Sequence, residues 1–463
     1  MKLPMSPPKI GEVLQGLSND MALKVFAWRD GPLASGRYLH WDELRHRTPP
    51  DGMNHEAWWV ALRMARQGQF TQLPFTDKSG RPMAFAMPEP VLRQLHRIDQ
   101  DAAGQISLPD EVVGTDDRDR YLVSSLIEES ITSSQLEGAS TSRLVAEAML
   151  RERRAPADYS ERMIFNNYVA MEWIRSIKNQ PLTPALVLEL HRIVTKDTLD
   201  DPADAGRLRQ RDDIRVFDNS DGTVLHEPPL AASLPERLER LCAFANGSAD
   251  DQPFVHPVVR AILLHFMVGY DHPFADGNGR TARALFYWSM ARQGYGLVEY
   301  LSISSIIKRA PAQYRTAYLH TETDGNDATY FLIHQLDVIR KAIAALHEYL
   351  ARKSAEQRDT ARLLLSSRTL RGLLNSRQIS LLTHALKHPG FDYLIDAHQH
   401  SHNVAYATAR SDLLGLAELG LLEQTKRGRS FVFIAPDDLR ARIKQAKDAP
   451  GDPSPSPITE QAV

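Results

Sequence analysis

Between His272 and Arg283 the chain reads His-Pro-Phe-Ala-Asp-Gly-Asn-Gly-Arg-Thr-Ala-Arg. Twelve residues bring together an imidazole, a carboxylate, a Gly-Asn-Gly turn and two guanidinium groups. Nucleotidyl or phosphoryl transfer needs a base for the proton of an attacking hydroxyl, a metal to hold the phosphates, and fixed positive potential where charge develops. His272 can be the base, since an unperturbed imidazole titrates near 6.5. Asp276 can hold Mg²⁺, because one carboxylate plus substrate phosphates is the usual protein site for that ion. The backbone N–H groups of Gly277, Asn278 and Gly279, with the Asn278 amide, can point at a phosphate where they lead into a helix. Arg280 and Arg283 share the first turn of that helix, hence one face, within reach of the same phosphates. Two cations at a helix N-terminus oppose the macrodipole, a placement that makes sense once an anion lies between them. Taken singly, His272 is equally a satisfied interior histidine and Asp-Gly-Asn-Gly a tight turn; order and spacing together carry the chemical reading. An EF-hand loop is excluded, because no alternating ligand series reaches a glutamate at its twelfth position.

The elements around this stretch must hold it still. Residues 257–270 form a helix with apolar side chains on nearly every side, which belongs in a core. It delivers Asp271 and His272 to its C-terminal end, where Pro273 stops it. A second apolar helix follows through Leu285, Phe286 and Met290. Upstream, 121–137 reads as a helix with Gly138 as its C-terminal signal. Glu137 then sits in a last turn, where the macrodipole disfavours a carboxylate, so a cation from elsewhere would repair the position; a solvated glutamate is the plain alternative. Further helices are expected at 141–154, 160–178, 184–198, 233–246, 303–308, 312–323 and 326–353. A short hairpin is expected at 213–226 around the turn Asp218-Asn219-Ser220-Asp221-Gly222, and an exposed edge of that kind can pair with an extended peptide.

The chain has 463 residues, 43% hydrophobic and 24% charged, and this is globular composition with room for two or three domains. One cysteine, Cys242, excludes a disulfide framework and a thiolate metal cluster and fits a reducing compartment. The N-terminus carries no basic-then-apolar leader and no apolar run is long enough to span a bilayer, so a cytoplasmic protein without membrane partners is expected. A net charge of −3 hides an asymmetry: Lys and Arg number 39 against 46 acids over residues 1–350, but 16 against 9 over 351–447. The excess raises a polyanionic partner for the C-terminal part only. There, three helices and a hairpin tipped by Lys426, Arg427 and Arg429 resemble a winged helix. Residues 1–110 combine helices such as 55–67 with a hairpin at 70–87 and carry no chemical motif. From 448 a Pro/Ser tail is expected to be disordered.

The stretch His272–Arg283 resembles the signature HxFx[DE]GNGRxxR of the Fic family of nucleotidyl, mostly adenylyl, transferases, and it matches at every defined position. The resemblance covers about 118–350. It implies a mainly α fold: a Fic-type helical core at 111–355 with a β-hairpin flap, a small α+β region at 1–110, and a winged helix-turn-helix domain at 356–447 of the kind common in the family. It implies transfer of AMP from ATP, with Mg²⁺, to a Ser, Thr or Tyr hydroxyl of a protein or of the chain itself. His272 would be the base, Phe274 a buried anchor and Asp276 the Mg²⁺ ligand. Gly277, Asn278 and Gly279 would cradle the α- and β-phosphates, with Arg280 and Arg283 on the β- and γ-phosphates. Ser133 to Gly138 fits the family's inhibitory pattern [ST]xxxE[GN], which makes Glu137, on the helix 121–138, the expected partner of Arg283 and a block to the γ-phosphate. The hairpin 213–226 stands where the family docks its protein target, and the region 300–318 is a candidate adenine pocket. Homodimers are common in the family. Doc-type phosphate transfer is disfavoured, since those relatives depart from Gly-Asn-Gly. Removal of AMP by the same site stays open, and the reading from another class is a DNA-binding regulator whose core senses nucleotide.

Overall fold

The computed structural model describes residues 3–102, 115–218, 221–248, 250–365, 370, 372–427 and 430–448. The chain divides into two compact units: Met1–Ile106, Ser125–Glu147 and Ala155–Ala345 form one, and Ser107–Ser124, Ala148–Arg154 and Leu346–Val463 the other. Among the described residues no helix is long and apolar enough to cross a membrane.

The first unit is built around the antiparallel pair Pro257–Asp271 and Asn278–Arg292. Every residue from Val258 to Val268 is buried, as a helix apolar on all sides requires. Tyr159–Ser176, Pro184–Val194 and Leu234–Ala245 pack around this pair. Local chemistry fixes their starts. Thr183 accepts from the N–H of Leu186 and is followed by Pro184, whose fixed φ suits the first helical turn. The second signature helix begins at Asn278, ahead of the expected Arg280, because Gly277 takes a left-handed conformation (φ 81°) that turns the loop directly into the helix.

The hairpin expected at 213–226 consists of Val216–Phe217 paired antiparallel with Val224–His226. A second hairpin pairs Thr71–Thr76 with Pro82–Phe85. Residues 1–106 belong to the same compact unit as the signature helices, held by buried polar contacts invisible to hydrophobic periodicity. Arg63 bridges Asp324 and Asp327 at 3.1 and 3.2 Å, the Tyr38 hydroxyl donates to Asp327 at 2.6 Å, and Arg66 donates to the Tyr330 hydroxyl at 2.8 Å.

In the second unit the helices Ser376–Ala385, Ile395–His402 and Tyr406–Glu418 accompany a three-stranded sheet in which Ser430–Ile434 lies between Asp392–Leu394 and Glu423–Arg427. Leu382, Leu413, Leu416 and Phe433 form its buried centre. Of the basic residues read as a wing tip, Arg427 pairs with Asp392 and Lys426 lies over the Phe431 ring. Arg429 and the tail beyond 448 lie outside the described residues.

Candidate active site

His272 leaves the helix Pro257–Asp271 in a left-handed conformation (φ 43°), its N–H bonded to the Val268 carbonyl at 3.1 Å. That conformation costs a non-glycine residue about 1–2 kcal/mol, so the surroundings must enforce it. They do: Arg209 Nε donates to the His272 carbonyl at 2.9 Å. The ring nitrogen Nδ1 lies 3.3 Å from the Gly269 carbonyl. A carbonyl only accepts, so Nδ1 carries the proton and the Nε2 lone pair is left to take one. Burial, aided by His226 and Arg209 and opposed by the Gly269 carbonyl and Glu137, pushes the His272 pKa down to about 4. The imidazole is therefore neutral at pH 7, as a base must be.

The loop between the two helices is knitted from below. Phe274 is fully buried and stacks on His191, ring centroids 3.8 Å apart and planes 4° from parallel. The Gly206 N–H reaches His191 Nδ1 at 3.0 Å, which leaves Nε2 to donate to the Asp276 carbonyl at 2.9 Å. Burial lowers the His191 pKa to about 4, against the pull of that carbonyl. A side chain at 277 would meet Thr195 Cγ2 at 2.6 Å. Two expectations fail in this loop. The Asn278 amide is turned onto the preceding loop: its Oδ1 accepts from the Phe274 N–H and its Nδ2 donates to the Phe274 carbonyl, both at 2.9 Å. Nor do the two arginines share a face toward one anion. Arg280 lies fully buried under the loop, donating to the Val194 carbonyl at 3.3 Å and to Asp276 Oδ2 at 3.1 Å, because a side chain in the first turn can curl back onto the loop that precedes it. Asp276 itself is half-exposed, at 49% of its side chain.

Arg283 forms the wall. Its Nε donates to Ser133 Oγ at 2.8 Å and its Nη2 to the Ser133 carbonyl at 3.0 Å and to Glu137 Oε1 at 2.8 Å. Glu137 follows the helix Thr115–Leu136 and stands at its C-cap. The chain closes there by the bonds Ala139 N–H to Ser134 O and Gly138 N–H to Gln135 O, the Schellman pattern. Burial raises the Glu137 carboxyl, but Arg283, Arg280 and His272 more than offset it, and its pKa ends below the ordinary carboxylate value. The cation that the macrodipole argument called for is thus Arg283. The backbone at Gly279 lies against the same pair: a Cβ there would meet the Glu137 carboxylate, which would have to move.

Glu137, His272, Gly279 and Arg283 open onto one cavity, together with Tyr314 and Tyr318. The flap contributes Val216 and Leu225 to its wall. Of the region 300–318, the helix Pro311–Thr323 lines the cavity and Tyr300 does not. The first helical turn at Asn278 has no side-chain cap on Gly277, and N–H groups there have no acceptor within the helix. Arg280 Nε is likewise buried without an acceptor among the described residues. The first of these fits an anion at the helix N-terminus. Among the described residues no three His, Cys, Asp or Glu side chains gather to hold a metal ion. Asp276 offers a single half-exposed carboxylate, a donor that can share Mg²⁺ with phosphates. His191, Arg209 and His226 escaped the sequence reading.

Residues 181–290 match the model of the Fic/DOC family. The protein adenylyltransferase Fic of Drosophila ananassae is 34% identical over 154 residues, 33% of this chain and 27% of that protein. Its namesake in Nematostella vectensis is 34% identical over 131 residues, 27% of each chain. The chain therefore aligns with about a quarter of the length of these relatives. A Fic family protein of Desulfovibrio desulfuricans superposes with a TM-score of 0.49 and 17% identity, covering 79% of this chain and 99% of that one. With the matched segment and an intact signature at 272–283, this chain carries a domain of the Fic/DOC family.

Proposed function

We propose that the protein is an auto-inhibited adenylyltransferase that moves AMP from ATP onto a hydroxyl of a protein. The observation that carries this reading is the convergence on one cavity of a neutral histidine, a helix N-terminus and a buried arginine that a glutamate already occupies. His272 Nε2 takes the proton of the acceptor hydroxyl, whose oxygen attacks the α-phosphorus. The bond from that phosphorus to the bridging oxygen breaks, and pyrophosphate leaves. Backbone N–H groups at 277–279 hold the α- and β-phosphates. Arg283, once free, meets the γ-phosphate, and Arg280 acts through Asp276, which it orients. Mg²⁺ held by Asp276 and the phosphates would supply charge neutralisation on the leaving group. The flap's edge, Val216–Phe217, presents backbone groups with which an extended acceptor peptide pairs.

In the resting arrangement Glu137 takes the guanidinium that the γ-phosphate requires. The Glu137→Gly protein incubated with ATP and Mg²⁺ therefore gains the mass of AMP, on itself or on a partner, and His272→Ala removes the gain. Absence of transfer from any of the four nucleoside triphosphates sinks the proposal. A second activity rests on the same placement: Glu137 lines the cavity beside His272 and can orient a water for removal of AMP from a modified protein.

A further inference from the structure

Arg209 has no place in the signature, yet it bonds to the base-bearing loop and to both feet of the flap. Its side chain is buried, with 3% exposed. Its backbone N–H donates to the Pro273 carbonyl at 2.9 Å and its Nε to the His272 carbonyl at 2.9 Å. Its Nη1 donates to the Arg211 carbonyl at 2.9 Å and to Asp212 Oδ1 at 3.3 Å, before the flap; its Nη2 donates to the Pro229 carbonyl, after it. Asp212 Oδ1 closes the circuit by accepting from the Ala231 N–H at 2.6 Å. One planar fork thus spans three backbone carbonyls on three segments, a task for which the single point of a lysine ammonium has too few fixed donors.

We infer that Arg209 is a positioning residue that fixes the base-bearing loop and both feet of the flap in one arrangement, and so sets the distance between His272 and an acceptor docked on the flap. The inference rests on the adenylyl-transfer reading for its consequence in catalysis but not for the arrangement itself. Misplacing a reacting pair by about 1 Å can cost about a hundredfold in rate, while ground-state binding of nucleotide at 277–283 needs none of these contacts. The charge of Arg209 also disfavours the His272 imidazolium. Among the described residues, Glu137, from the end of the helix Thr115–Leu136, and His226, from the flap, also act on that ring.

The test uses the full chain carrying Glu137→Gly, alone and with Arg209→Lys or Arg209→Gln. Both substitutions are expected to lower AMP incorporation from saturating ATP by about tenfold or more, with ATP affinity changed by less than about twofold. Amide hydrogen exchange should accelerate over 211–231 and 272–276 together and stay unchanged in the helix Asn278–Arg292. The acid limb of the pH–rate profile should move up for Arg209→Gln, which removes the cation, and hold for Arg209→Lys, which keeps it. A merely structural role would raise exchange evenly through the unit and leave the acid limb in place; that result, or unchanged exchange in either segment, overturns the inference. If the Glu137→Gly parent transfers no AMP, the adenylyl-transfer reading falls and the exchange pattern alone decides the role of Arg209.

Discussion

The floor of the cavity and its wall are held in different ways, although Arg280 and Arg283 stand one turn apart on the same helix. The floor is bonded to its near surroundings: Arg280 to Asp276 and Val194, Asn278 to Phe274, His191 to Asp276 and Gly206. The wall depends on one distant helix, which supplies all three acceptors of Arg283 from Ser133 and Glu137. A set of contacts bonded on several sides cannot release one member without disturbing the rest. The wall's three bonds all end on one helix, itself tied to Met163 through Ser134 and to Ser302 and Ser304 through Glu129. Under the proposed auto-inhibited reading, precision lies in the floor and control in the wall.

Substitutions can break that division, beginning with the largest effect. In the Glu137→Gly background, His272→Ala should cut AMP transfer by about 10²–10⁴-fold, the usual worth of a general base, with ATP binding retained. His191→Ala should lower unfolding free energy by about 2–4 kcal/mol, because it removes a buried ring and two hydrogen bonds, and activity should fall with it; chemical denaturation measures the first and intact mass the second. Glu137→Gly should raise transfer by about 10–100-fold, the equivalent of one charge-assisted hydrogen bond no longer competing with a phosphate. It also leaves Arg283 buried without its anion, so the melting temperature should drop and then recover as ATP is added. If His191→Ala changes activity alone, or Glu137→Gly lowers stability equally with and without ATP, the division between floor and wall is wrong.

The smallest effect is on pH. Burial holds the folded-state pKa near 4 for His191, His272 and His320 and near 3 for His265, whereas an unfolded histidine titrates at about 6.5. Below 6.5 the unfolded chain binds protons that the folded chain refuses. Stability is therefore full above that pH and is lost as pH falls toward 4, by up to about 1.4 kcal/mol per unit for each histidine. Glu137, its pKa held against burial below the ordinary carboxylate value, chiefly by Arg283, protonates later in the acid descent than an unpaired carboxylate. Acid should loosen the floor while the wall pair is still intact, a sequence that denaturation curves at pH 7, 6 and 5 would register.

The signature was legible because it is local: base, metal ligand and anion loop follow one another in twelve residues. Glu137 was legible through the resemblance of Ser133 to Gly138 to an inhibitory pattern, because the dipole argument alone left a solvated glutamate open. What could not be read is set by where long side chains turn. Arg280 and Asn278 each had two destinations, a ligand or the preceding loop, and only packing decides between them. His191 and Arg209 act through backbone carbonyls of other segments, which leave no pattern of residue types. The attachment of residues 1–106 rests on buried ion pairs such as Arg63 with Asp324, and spacing gives no sign of those either. The mainly helical architecture, by contrast, followed from apolar periodicity, with helix ends within a few residues for most elements.

Ser133 gives the proposed inhibition a second stage. Deleting the Glu137 carboxylate strips one acceptor from Arg283 but leaves the hydroxyl and carbonyl of Ser133 still engaged with Nε and Nη2. The guanidinium is then tethered at one edge and open at the other. Glu137→Gly is on this account a partial agonist state, and a ligand that displaced the whole end of the helix Thr115–Leu136 would take the enzyme past it. Activity as a function of helix displacement should rise in two steps, the plateau between them set by a serine.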